Sequence, residues 1–194
     1  INKMDNQKLS ISNISYKNDK SLRVLASVLS KWFSDPKTLY FTSPNLRYPF
    51  NINHWISTFY KEDNIETYIL KEGNWIIGHL SVKIDENKNL AHLFHLFIDN
   101  ENRQKGYAKK LIRYVEKNII TGKDNIGAIT TNCVKKNIPA ITLYQSIGFQ
   151  ILKEISTDKN YRNCEVNYKK YYADSNEIKK KVKFSNLESN LKDN

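Results

Sequence analysis

The chain has 194 residues, 40% hydrophobic and 12% aromatic, enough for one domain with its own core and too apolar for a disordered chain. No apolar run nears the roughly 20 residues that span a bilayer, and the opening INKMDNQKLS lacks the apolar centre of a signal peptide, so no membrane partner and a cytoplasmic location are expected. Lys and Arg number 31 against 20 Asp and Glu, a formal charge of +11, which suits nucleic acid, an acidic membrane or a polyanionic small ligand, or else a Lys-rich surface.

In chain order, KLSISNISY (8–16) alternates as a strand does. A helix follows over 19–33, with Leu22, Leu25, Leu29 and Trp32 on one face. The segment 34–50, with three prolines and many aromatics, reads as an ordered loop of the kind that lines a site. A second helix covers 51–61 through Ile52, Trp55, Ile56 and Phe59. IETYILKEGNWIIGHLSVKI (65–84) reads as two strands around a turn at Glu72–Asn74. LAHLFHLFID (90–99) is apolar almost throughout, as in a strand buried on both faces.

A third helix carries Ala108, Leu111, Ile112, Val115 and Ile119 on its apolar stripe, with Lys109, Lys110, Arg113 and Lys117 elsewhere. IGAITTNCV (126–134) is a strand, and NIPAITLYQSIGF (137–149) a short helix with Gly148 as its C-terminal stop. Two last strands, FQILKEIS and CEVNYKKYY, close a single domain over 1–172, and 173–194 reads as a polar, basic tail. Three consecutive strands before the basic helix exclude a doubly wound sheet. The expected class is α/β, a mixed sheet with helices on both faces.

Cys133 and Cys164 lack zinc-like spacing and are too few for a disulfide framework, so both are expected to be small core residues and no metal is expected. No basic run interleaves with aromatics as single-strand binding needs, and nucleic acid is not an expected partner.

The stretch RQKGYA (103–108) lies where a strand hands over to a helix. The first helical turn offers unpaired N–H groups and the positive end of the macrodipole, a setting for phosphate. Gly106, and less completely Ala108, let backbone approach a ligand, while Arg103, Lys105 and Lys109 attract it. The simpler alternative is that Asn102 caps an ordinary helix and Gly106 is a mild defect in it.

RQKGYA meets the pattern Q/R-x-x-G-x-G/A at Arg103, Gly106 and Ala108. NIPAITLYQSIGF meets N-x-x-A-x-x-L-Y-x-x-x-G-F at Asn137, Ala140, Leu143, Tyr144, Gly148 and Phe149. With both signatures in this order, the chain resembles the GNAT acetyltransferase superfamily, strongly over 90–150 and in outline over 8–170. The resemblance implies a GNAT-like, mostly antiparallel sheet that splays between LFHLFI and ITTNCV. It implies acetyl-CoA as cosubstrate, with its pyrophosphate on the turn from Arg103 through Gln104, Lys105, Gly106, Tyr107 and Ala108 to Lys109. The pantetheine arm would lie along Leu96, Phe97 and Ile98. It also implies acetyl transfer to a primary amine of a small molecule, peptide or protein, by direct attack in a ternary complex, with Tyr144 as general acid and Asn137 ordering the site or capping its helix. The alternative on the same fold is a non-catalytic acyl-CoA sensor or interaction module, and a homodimer stays open.

The base is less defined. Many relatives carry a glutamate at the position that is Asn132 here, or Cys133 if the register slips. His92 and His95 are alternatives; lying three apart, they alternate to opposite faces unless a bulge intervenes. His95, nearer the expected thioester, is the candidate, with His79 behind it and a water path with no dedicated base beside both. The acceptor wall is expected from the helices at 19–33 and 51–61 and the loop between, which supply Trp32, Phe33, Tyr40, Phe41, Tyr48 and Trp55.

Overall fold

The computed structural model describes residues 8–122, 126–156 and 164–171. The basic tail expected at 173–194 lies outside the described residues, and with it the domain boundary at 172.

Strand β1 (Leu9–Ile14) leads to helix α1 (Asp19–Trp32), which opens on the Asn18 side chain accepting from the Ser21 amide and buries Leu25, Leu29 and Trp32. The segment expected as a loop contains a helix, α2 (Pro36–Thr42). Asp35 accepts from the Thr38 amide at 2.8 Å, Pro36 supplies the first helical φ, and Leu39 is buried. Helix α3 (Ile52–Phe59) is capped by Asn51 and buries Trp55 completely.

Strands β2 (Ile65–Glu72) and β3 (Trp75–Asp85) form the expected hairpin, with Gly73 at φ 58° in its turn. Then come β4 (Leu90–Ile98), α4 (Tyr107–Gly122), β5 (Ala128–Val134), α5 (Ile138–Ser146), β6 (Gln150–Ser156) and β7 (Cys164–Tyr171). Helix α5 stops where expected: Gly148 has φ 95°, and the Phe149 amide returns to the Tyr144 carbonyl at 3.0 Å.

The described strands make one sheet in the order β1-β2-β3-β4-β5-β7-β6, antiparallel throughout except at β4–β5. Each face carries a core. Under α4 and α5 it is mainly aliphatic, built on Leu80, Val82, Leu93, Leu111, Ile112, Val115 and Ile129. Under α1, α2 and α3 it is mainly aromatic, built on Tyr16, Trp32, Phe33, Trp55, Tyr60 and Phe97.

Two features fix how the sheet meets its helices. A Cβ on Gly78 would stand 2.8 Å from Ile98 Cδ1, 3.1 Å from Leu70 Cβ and 3.6 Å from Leu111 Cδ2, so α4 reaches its depth because this strand position has no side chain. On the other flank Lys170 of β7 pairs with the buried Glu116 of α4 at 3.0 Å.

Candidate active site

The β4–β5 ladder runs only from Leu90–Ala128 to Leu93–Thr131. Beyond that pair β4 continues to Ile98 on β3, and β5 continues to Val134 on β7. The two strands therefore open into a wedge, with its vertex at Leu93–Thr131. The Thr131 hydroxyl donates to the Leu93 carbonyl at 3.1 Å and closes that vertex. Among the described residues no strand lies on the β5 side of residues 94–98, which leaves that flank open along the wedge.

Within the wedge β4 carries one extra residue. Register passes from Ser81–Phe94 to His79–Phe97, two residues of β3 against three of β4, and His95 takes φ 52°. This bulge resets the alternation. Ala91, Leu93, Leu96 and Ile98 face the aliphatic core, whereas Phe94 and Phe97 pack into the aromatic one, against which His95 also lies. His92 shares that face with Phe94, the two rings nearly parallel. The expectation that His92 and His95 diverge fails because the bulge intervenes.

The mouth of the wedge is the turn before α4. Asn102 does not cap that helix: it is buried in a short turn of 3-10 helix (Asn100–Asn102), where its carbonyl oxygen accepts from Lys105 Nζ at 2.9 Å. Gln104 at φ 61° and Gly106 at φ 76° then swing the chain into Tyr107, the first residue of α4. Gly106 is thus a conformational requirement, and nothing lies within 4 Å of where its Cβ would be. The Lys110 amide is already paired, with the Gly106 carbonyl at 3.0 Å. The amides of the preceding positions are those a helix start leaves without a helical partner, and the turn 103–106 is exposed.

Arg103 folds inward: its Nε donates to the Ile98 carbonyl at 3.1 Å, and its guanidinium stands 5.1 Å from the Phe97 ring centre. It fastens the turn to β4, while Lys109 occupies the first turn of α4. Across the wedge Asn137 caps α5, its side chain accepting from the Ala140 amide at 3.3 Å. Tyr144 is buried in the α5 layer, its ring centre 5.7 Å from that of Phe149. The structure thus puts Leu96, Phe97 and Ile98 on one strand of the opening and the 103–109 turn at its mouth, and places Asn137 and Tyr144 at the cap and in the body of α5, the helix after the other strand.

It does not leave the His95 ring open to that opening. His95 lies flat on Trp55 at 3.9 Å between ring centres, with Nδ1 at 2.8 Å from the Tyr60 hydroxyl and Nε2 at 3.2 Å from Ser43 Oγ. Tyr60 continues to Ser81 and Ser81 to Thr67, each at 2.9 Å. Beside this string, His79 Nδ1 donates to the His95 carbonyl at 2.8 Å, so its Nε2 accepts from the Tyr16 hydroxyl at 2.9 Å, which itself accepts from Trp55 Nε1. Burial pushes His79 down to about 4 and His95 well below its ordinary value, so both are neutral near pH 7. Of the expected wall residues, Trp32, Phe33 and Trp55 are core, Tyr40 and Phe41 are partly buried, and Tyr48 is exposed. Tyr16, Ser43, Tyr60 and Ser81 were missed by sequence reasoning, since single hydroxyl residues scattered over β3 and the ends of β1, α2 and α3 give no spacing signal.

Among the described residues no group of three His, Cys, Asp or Glu is placed to hold a metal, and no helix is long and apolar enough to cross a membrane. Cys133 is buried, as expected of a core residue. The Cys164 side chain lies outside what the structure describes.

Residues 27–149 match the model of the Acetyltransferase (GNAT) family. Among solved structures, the chain is similar to the ribosomal-protein-S18-alanine N-acetyltransferase from Escherichia coli, with TM-score 0.62, 14% identity, and coverage of 84% of this chain and 92% of that one. It is similar to a spermidine N-acetyltransferase from Vibrio cholerae in complex with CoA and spermine, with TM-score 0.67, 14% identity, and coverage of 87% and 98%. A domain from Methanocaldococcus jannaschii gives TM-score 0.66 at 20% identity, with coverage of 85% and 99%. At these identities the likeness speaks for the fold. No curated protein matches the chain.

Proposed function

The chain belongs to the GNAT acetyltransferase family, and on that premise we propose that it transfers the acetyl group of acetyl-CoA to a primary amine by direct attack in a ternary complex. The observation that carries this reading is the wedge with the Gly106 turn at its mouth. From Ile98 to the vertex at Leu93 is five residues of strand, roughly 17 Å at ~3.3 Å each. The pantetheine arm between diphosphate and sulfur has about thirteen bonds, about 16 Å at the per-bond rise of an extended chain. A diphosphate on the amides of 103–109 therefore leaves the thioester near the vertex. The open space at Gly106 and the strandless flank of 94–98 fit such a ligand.

The attacking amine must be neutral, although a free lysine has its pKa near 10.4. Main-chain N–H groups on the open flank of β4 near the vertex are the donors assigned to the carbonyl oxygen as charge develops. Tyr144 is assigned to give its hydroxyl proton to the departing thiolate. His95, with both ring nitrogens engaged, serves this scheme as a positioning residue: its bulge sets which β4 groups face the wedge.

A single amine is favoured over a polyamine, because the carboxylates of Asp35, Glu62 and Asp63 are each engaged. Asp35 caps α2, Glu62 pairs with Lys83 and Asp63 with Lys17. A small amine or a peptide or protein amine fits.

The test is release of free thiol from acetyl-CoA against a panel of amines. Turnover with at least one amine is expected, and Tyr144→Phe should lower kcat by about 10²-fold with acetyl-CoA affinity unchanged. Tight acetyl-CoA binding with no turnover on any amine would favour a sensor on the same fold.

A further inference from the structure

His92 occupies the place in this site that His95 leaves open. It lies one residue from the vertex of the wedge, on the face beneath α1, α2 and α3, and it is partly exposed where His95 is buried. Its strand partner across β5 is Thr130, whose hydroxyl is 2.8 Å from His92 Nδ1. That hydroxyl also lies 3.5 Å from the Ala91 carbonyl, and in the tautomer in which it donates there it accepts from an N–H on His92 Nδ1. The proton on Nδ1 leaves a lone pair on Nε2, which has no hydrogen-bond partner among the described residues. Phe94 holds the ring from one side, 6.4 Å between centres and 14° from parallel. Lys83, opposite on β3, is the charged neighbour, and its ammonium is turned to Glu62. Burial, with the Lys83 charge second, holds His92 down to about 4, so the lone pair is present near neutrality.

We propose that His92 is the catalytic base of the transfer, its Nε2 taking the proton of the acceptor amine while Thr130 fixes the ring through Nδ1. This rests on the acetyl-transfer reading above. As the amine nitrogen bonds to the thioester carbon, one N–H proton passes to Nε2; the C–S bond breaks, and the thiolate takes a proton from Tyr144. His92 then returns its proton to solvent, and a proton from solvent restores Tyr144. The base belongs to a strand facing the aromatic layer and Tyr144 to the aliphatic one, so the attacking and leaving groups are served from opposite faces of the sheet. A carboxylate at position 132 is not needed for this scheme.

The experiment compares wild type, His92→Gln and Thr130→Val in the thiol-release assay, with acetyl-CoA affinity by calorimetry and the His92 tautomer by nitrogen NMR. Wild type should carry the His92 proton on Nδ1 at pH 7. His92→Gln should lower kcat by about 10²-fold or more at unchanged acetyl-CoA affinity. Thr130→Val should lower it by about 10-fold and redistribute the tautomer, which a merely structural loss would not do. Turnover by His92→Gln within twofold of wild type, or a wild-type proton on Nε2, overturns the proposal and leaves acetyl transfer standing. A wild type that binds acetyl-CoA and acetylates no amine overturns both.

Discussion

The two faces of the sheet are built from different chemistry. The α4–α5 face is closed mainly by Leu, Ile and Val, with Glu116 of α4 buried against Lys170 at its flank. The α1–α3 face buries His79, His95, Ser43, Ser81 and Thr67 among aromatic rings, hydrogen-bonded in strings. An aliphatic core is indifferent to acid, whereas one built on neutral imidazoles is not. The α4–α5 face is therefore held by packing together with the Glu116–Lys170 pair, and the α1–α3 face by packing that depends on protonation state.

Acid should give the largest effect. His79 and His92, held down to about 4, and His95, held well below its ordinary value by burial, bind fewer protons when folded than their ordinary value near 6.5 allows when unfolded. Stability is then complete above about pH 6.5 and falls as pH falls from there toward 4, by about 3 kcal/mol for each of the first two. Denaturant midpoints across that range measure it; a flat profile would erase the distinction between the faces.

Trp55→Ala removes the ring on which His95 lies and should cost about 4 kcal/mol at pH 7. By letting water reach the imidazoles it should also flatten the acid slope. Leu111→Ala, equally buried on the other face, should cost about 3 kcal/mol and leave the slope as it was. Smallest is Gly78→Val, about 2 kcal/mol from crowding Ile98 and Leu70, again with the slope unchanged. Chemical denaturation of the three variants at pH 7 and pH 5 reads both quantities.

Much of the α4–α5 face was legible in the sequence because its information is local. The stripe Leu111, Ile112, Val115 and Ile119 announces a helix by spacing, and Asn137 and Gly148 mark the two ends of the next. The wedge itself came from family resemblance, since no strand pattern states where a neighbour departs. On the other face the sequence misled. Helix α2 is only seven residues long, and its Asp35–Pro36 start was hidden in a proline-rich aromatic stretch. The bulge at His95 left no mark on LFHLFI, so strict alternation separates His92 and His95 where the structure puts both on one face. The need for glycine at 78 is a fact about Ile98, Leu70 and Leu111 meeting there, which no neighbouring residue encodes.

Because the extra residue in β4 sets orientation by counting, the strand tolerates changes of identity better than changes of length. Inserting one more residue between Phe94 and Leu96 would turn Leu96 and Ile98 toward the rings and Phe97 toward the aliphatic helices, although every hydrophobic letter survived, whereas removing His95 would leave all three on the faces they hold. Substitution scans would score this stretch as permissive, and single-residue insertions would find it intolerant.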